Sequence, residues 1–278
     1  MIFGVHMPLK GGIIKALTDA RKELNCDTVQ IFSKNPRGWK PAYADHATTA
    51  DIKISLNMHK ISPLVLHSIY LINLASANDE IYEKSVKALA EDLLRAEALG
   101  AQFLVTHVGS GEKEEALKRL LDAIDRAYTE TGVHNTILLL ENSSGAGKHV
   151  GELEFIGQVI KKSKWSKNLG LCFDTAHAYA RGFDLSSRKG WNECLKIIKN
   201  HVGMEKLYLI HANDSASALG SKIDRHKDIG KGGIGLEGFR IMLNLPELAR
   251  IPMILETPKK SIDDDRRNLK VIRKLAVI

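Results

Sequence analysis

The feature that most constrains this chain is an eightfold alternation of short apolar runs with longer charged stretches of helical period. The runs are Ile2–Val5, Thr28–Phe32, Leu64–Leu66, Phe103–Thr106, Thr136–Leu140, Leu169–Phe173, Leu207–Ile210 and Met253–Leu255. Their apolarity is continuous instead of falling at every second residue, which predicts strands buried on both faces, as in a parallel sheet covered by helices. Between them, Asp79–Leu99 and Lys113–Thr129 repeat their apolar residues three and four apart, the spacing of amphipathic helices. Seven repeats of about 36 residues separate His6 from Glu256, each of which lies just past its strand. Eight β-α units of that length predict an α/β chain closed into a (β/α)8 TIM barrel, with residues 1–278 forming one domain. A doubly wound open sheet is the alternative. It would usually carry a glycine-rich fingerprint after its first strand, and Gly11-Gly12 is not one.

Composition narrows the chemistry. With 44% hydrophobic and 26% charged residues, the chain has enough apolar surface for a packed core. Its three cysteines, Cys26, Cys172 and Cys194, form no even framework and no C-x-x-C pair. A disulfide scaffold and a thiolate zinc site are therefore both excluded as expectations, and any metal must rest on His and carboxylate. Met1–Pro8 reads as a strand running into a turn, not as an apolar leader, and no run approaches the ~18 apolar residues of a membrane span. A reducing cytoplasm is the expected compartment. The formal charge of +7 points, weakly by itself, to an anionic partner.

In a barrel the C-terminal strand ends converge on one face, where the chemistry sits. The third to eighth predicted strands end at His67, His107, Glu141, Asp174, His211 and Glu256. A single His or Glu in such a place is ordinarily a hydrogen-bonded structural residue. Six in succession are different, because carboxylates gathered on one face repel one another unless protons or cations intervene. Divalent ions resolve the conflict, and imidazole with carboxylate suits zinc, with manganese or iron as alternatives. In Asp174-Thr-Ala-His177 the chain turns, so the His can face a second ion. In Asp224-Arg225-His226, alternation in an extended segment puts the Asp and His on one side and Arg225 on the other. The set then holds five His, two Asp and two Glu, enough for two or three metals. Closely spaced divalent ions leave a net positive pocket suited to phosphoester hydrolysis.

Three blocks carry a family resemblance: Leu140-Glu-Asn-Ser-Ser-Gly-Ala-Gly147, Leu171-Cys-Phe-Asp-Thr-Ala-His177, and His211-Ala-Asn-Asp-Ser followed by Gly220-Ser-Lys-Ile-Asp-Arg-His226 and Ile229-Gly-Lys-Gly232. They resemble the signature blocks of the endonuclease IV family of apurinic/apyrimidinic endonucleases, and the likeness runs end to end. The resemblance implies a barrel with three zinc ions, one of them replaceable by manganese. It implies cleavage of duplex DNA 5′ to an abasic site, leaving a 3′-hydroxyl and a 5′-deoxyribose phosphate, and action on blocked 3′ ends in base excision repair. Glu141 would bridge two metals, one also held by His67 and His107, the other by Asp174, His211 and Glu256. His177, Asp224 and His226 would hold the third. Glu141 and Glu256 would be the catalytic carboxylates, with Glu256 orienting or deprotonating a hydroxide that attacks phosphorus in line while the third metal stabilises the departing oxygen.

The same resemblance places DNA contacts on Ser33-Lys-Asn-Pro-Arg-Gly-Trp-Lys-Pro41, where Lys34, Arg37, Trp39 and Lys40 suit phosphates and base faces. Tyr70 and Leu71 match a wedge that enters the minor groove, and Lys231 is placed to contact a phosphate. The expected partner is duplex DNA with abasic sites or blocked 3′ ends, bound by a monomer, with no membrane contact. Two departures are visible: Ser68 follows His67 where some relatives are acidic, and His6 faces the site without a ligand role. Readings from other classes are a metal-dependent sugar isomerase on the same barrel, which generally needs two metals, and a DNA-binding module with a structural metal.

Overall fold

A computed structural model describes residues 1–36, 38–39 and 47–276. Eight parallel strands close a barrel in the order β1 (Phe3–His6), β10 (Met253–Leu255), β7 (Leu207–His211), β6 (Leu169–Asp174), β5 (Ile137–Glu141), β4 (Phe103–His107), β3 (Leu64–His67) and β2 (Thr28–Phe32). The eighth predicted strand is thus β10, because a two-residue antiparallel pair, β8 (Asp214–Ser215) with β9 (His226–Lys227), precedes it in the chain. Around the barrel lie α1 (Ile13–Lys22), α2 (Thr49–His59), α3 (Asp79–Leu99), α4 (Lys113–Thr131), α5 (Leu153–Lys162), α6 (Thr175–Arg181), α7 (Arg188–Ile197), α8 (Gly235–Leu243) and α9 (Ile262–Leu275). No helix among the described residues is long and apolar enough to cross a membrane.

Local sequence sets the helix ends. Asn78 caps α3 by accepting from the Ile81 amide at 3.0 Å, and Gly100 stops it with φ 74°, a left-handed conformation that a side chain resists. Thr48 with Asp51 and Ser261 with Asp264 form reciprocal capping boxes at α2 and α9. Closure of the barrel depends on Gly4, where an added Cβ would lie 1.9 Å from the Thr28 carbonyl oxygen.

The barrel interior is layered. Val65, Val105, Leu139, Cys172, Leu209 and Ile254 form one buried cluster inside it. Each stands two residues before His67, His107, Glu141, Asp174, His211 or Glu256, and residues two apart on a strand share a face. The apolar plug and the polar layer above it are therefore successive layers of the same six strands. The plug offers one polar contact from below, the Cys172 thiol to His211; otherwise the polar side chains satisfy one another or open upward.

Candidate metal centre

Glu141, at the end of β5, is the hub. Its Oε2 lies 3.2 Å from His67 Nε2 and 3.5 Å from His107 Nδ1, while its Oε1 lies 3.2 Å from His211 Nδ1. Around it the structure forms three groups whose ligand atoms lie within 4.8 Å of one another: His67, His107 and Glu141; Glu141, Asp174, His211 and Glu256; and Asp174, His177 and His226. Asp224 adjoins the third, with Oδ2 3.0 Å from His177 Nε2 and Oδ1 3.3 Å from His226 Nε2. All nine residues singled out in the sequence thus meet at one mouth of the barrel.

Each arrives for a local reason. Asp174 closes β6 and caps α6, its Oδ1 accepting from the His177 amide at 2.8 Å, so the chain turns at once and His177 points back over the centre. Asp224 comes from the long β8–β9 connection and His226 opens β9. Pairing of Ser215 with His226 pins that loop to the barrel. Arg225, between them, is exposed on the other side, as alternation requires.

The imidazoles are oriented through their second nitrogens. His67 Nδ1 lies 2.7 Å from the Ser68 carbonyl, His177 Nδ1 2.9 Å from that of Asn142, and His226 Nδ1 3.2 Å from that of Glu256. A carbonyl accepts only from N–H, so in each of these rings Nε2 is left to face the carboxylates. His226 Nε2 is buried without a well-formed hydrogen bond, 3.3 Å from Asp224 Oδ1 and 3.6 Å from Asp174 Oδ2. A buried ring nitrogen facing two carboxylates is an arrangement that a cation, proton or metal, completes. The donor set fits zinc.

Electrostatics agrees. Burial pushes the Glu141 carboxyl up, but His107 and His211 outweigh it and hold the group well below the ordinary carboxylate range. Glu256 is likewise depressed, burial being outweighed chiefly by His211. Reciprocally, burial lowers His177, His211 and His226, but Cys172 with the carboxylates at His211, and the carboxylates alone at the other two, win and raise all three, His226 to about 9. Glu141, Glu256 and Asp224, all held below the ordinary range, stay ionised and draw positive charge onto the centre.

Other expected contacts divide. Tyr70 is exposed beside the centre and lines its cavity of about 230 Å³, its ring edge-on to Phe32 at 5.2 Å, and Leu71 is exposed next to it. Lys231 is exposed and pairs with Asp228 at 3.2 Å. Trp39 is half-buried and packs on the core. Lys34 corrects the sequence reading, because its ammonium is buried at 2.9 Å from Glu91 and 3.2 Å from Asp92 of α3. The charge that looked available to a phosphate is neutralised inside. Arg37 and Lys40 lie outside the described residues.

Four polar residues at the site were not predicted to act there. Gln30 hydrogen-bonds Glu256 and His211 at 2.6 and 2.8 Å, and Asn213 bonds Asp174 at 2.7 Å. Asn142 brackets the end of β6, accepting from the Asp174 amide at 2.7 Å and donating to its carbonyl at 3.0 Å. Asp214 gathers the amides of Gly230, Gly232, Ile234 and Gly235, folding the glycine-rich loop around one buried carboxylate. The one signal for Gln30 was an amide in the middle of an otherwise apolar strand.

This barrel, with its ring of imidazoles and carboxylates, places the chain among the xylose isomerase-like TIM barrels, the family that matches residues 18–275. The chain belongs to the endonuclease IV family and is an enzyme. A curated relative named "Probable endonuclease 4" from Methanosphaerula palustris is 41% identical over 282 residues, covering 99% of this chain and 98% of the relative. A second of that name, from Methanoculleus marisnigri, is 39% identical over 280 residues, with 99% of each chain covered. The crystal structure of endonuclease IV from Thermus thermophilus superposes with a TM-score of 0.89 at 33% identity, covering 99% of this chain and 98% of that one.

Proposed function

We propose that this protein is a DNA repair hydrolase that cuts the phosphodiester bond 5′ to an abasic site through a three-zinc centre, and that the same centre trims blocked 3′ ends. The observation that carries the reading is the sharing of ligands: Glu141 stands in two of the three metal-competent groups and Asp174 in two, so the sites are contiguous. Zinc ions bound there, with manganese admissible at one, would supply an acidified water and positive charge opposite the phosphate and the departing 3′-oxygen.

The chain's own residues do the rest. Glu256 has Oε1 held by Gln30 and Oε2 3.2 Å from His211 Nδ1, at the edge of the open cavity. It is placed to orient an incoming water and take its proton. Tyr70 and Leu71 stand where an aromatic and an aliphatic side chain fill the stack vacated by a flipped nucleotide, and an abasic nucleotide, having no base to unstack, flips at lower cost. A groove of about 710 Å³ adjoins the centre, lined by Arg225, Lys227, Lys259 and Lys260 beside Asp228 and Asp264. Its cationic excess suits the neighbouring backbone phosphates. A sugar isomerase of this barrel class needs neither the third group, His177, Asp224 and His226, nor such a groove.

The test combines metal content with incision of a duplex bearing one abasic site, using Glu256→Gln as control. Metal-dependent incision 5′ to the lesion, abolished by a chelator and by Glu256→Gln, is expected. A fully metal-loaded protein that leaves the duplex intact refutes the proposal.

A further inference from the structure

Gln30 lies in the middle of β2, is fully buried, and touches three residues at or just past the ends of three other strands. Its Nε2 is 2.6 Å from Glu256 Oε1 and 2.9 Å from His6 Nδ1, and its Oε1 is 2.8 Å from His211 Nε2. The ionised carboxylate of Glu256 accepts only, so the amide nitrogen must face it and the amide oxygen must face His211. That oxygen in turn accepts only. His211 Nε2 therefore carries a hydrogen, and His211 Nδ1 is turned to Glu141 Oε1 and Glu256 Oε2, each 3.2 Å away.

From this chain of donors and acceptors we infer that Gln30 is a positioning residue for the metal centre: it fixes His211 as an Nδ1 ligand and holds one oxygen of Glu256 off the metal. His67, His177 and His226 are locked by backbone carbonyls, which no substitution removes. His211 is held by side chains, the Gln30 amide and the Cys172 thiol, and its orientation is set by residues that can be changed. The second amide hydrogen, donated to His6 Nδ1, gives His6 its part: it accepts from the clamp and, packed on Phe32 at 4.3 Å, keeps the amide from rotating. Partners of this kind typically change metal affinity by about 10- to 100-fold when removed.

The inference rests on the reading of the centre as a metal site and is independent of the reading of DNA as substrate. Its test uses the zinc-loaded protein with 15N-labelled histidine, observed by two-bond proton–nitrogen correlation. Two rings touch Gln30 and should move in Gln30→Met; the metal-bound one of the two, His211, is expected to show a protonated Nε2 and a metal-bound Nδ1, while His6 carries no metal shift. Release of one zinc to a chelator is expected to be about 10- to 100-fold faster in Gln30→Met. Gln30→Glu, which keeps an acceptor for His211 but loses the donor to Glu256, is expected to retain the ring's signature while still releasing zinc faster than wild type. A wild-type ring bound through Nε2, or zinc release from folded Gln30→Met at the wild-type rate, overturns the inference. If Gln30→Met does not fold, the shifts in Gln30→Glu identify the ring and its wild-type tautomer decides. Correct tautomer and release rates without DNA incision would leave this inference standing and sink the nuclease reading, whereas a wild type that takes up no zinc sinks both.

Discussion

Replacing Lys34 with Met separates two roles that the sequence alone confuses. If Lys34 met DNA, its loss would leave stability unchanged and reduce the salt dependence of duplex binding by about one ion. The structure demands the opposite. Lys34 is the cation beside Asp92, whose carboxylate is buried and already sits above its ordinary pKa because burial outweighs the nearby ammonium. Half-exposed Glu91 adds little. Removing one partner of a buried pair costs about 3–5 kcal/mol, since the other charge is stranded. Asp92 can escape by taking up a proton. A carboxyl whose folded pKa is raised favours the folded state when protonated and penalises it as pH climbs through that pKa. The loss in Lys34→Met is therefore fully present above the variant's folded Asp92 pKa and shrinks by about 1.4 kcal/mol for each pH unit below it, down to the wild-type folded pKa. Urea denaturation at pH 8 and pH 6, at fixed free zinc, measures it, and adding Asp92→Leu should recover most of the loss at both. Wild-type stability with a shallower salt slope would refute the reasoning and return Lys34 to the DNA surface.

Three further outcomes are expected. Tyr70→Ala should keep its metal content yet bind abasic duplex with about tenfold less preference over intact duplex, by competition binding, since stacking contributes about 1–3 kcal/mol; unchanged discrimination would remove Tyr70 from recognition. Because His177, His211 and His226 are raised, the last to about 9, zinc must displace protons from them. Zinc affinity should then climb as pH rises towards 9, with protons released at pH 7, and calorimetry that showed no dependence on buffer ionisation enthalpy would count against the charge balance described. Gly4→Ala should prevent normal closure, because its Cβ would meet the Thr28 carbonyl oxygen, whereas Gly132→Ala, at φ 63° with open space around it, should cost only about 1 kcal/mol by thermal denaturation. Equal effects of the two would show that the β1–β2 approach is not the constraint.

The barrel and the ligand set were legible because both are periodic along the chain. An uninterrupted apolar run followed by His, Glu or Asp is one strand with its plug residue and, two positions on, its site residue; six repeats of that phrase survive any uncertainty of a residue at a strand boundary. Predicted strand ends fell one short of His67, His107, Glu141, Asp174 and His211, which the structure counts within the strands, while Glu256 does follow β10. Charge in an irregular segment was not legible in this way. Lys34 and Lys231 read alike as loop cations, and only the packing of α3 against the loop after β2 decided that one is buried in an ion pair and the other exposed. Gln30 was hidden for a related reason. A strand shows which of its residues share a face, but the partner that a buried amide meets depends on how the barrel closes, which brings Gln30 of β2 within 2.8 Å of His211 of β7, 181 residues away in the chain. Local periodicity settled which side chains reach the mouth of the barrel, and long-range closure settled which nitrogen His177, His211 and His226 present there.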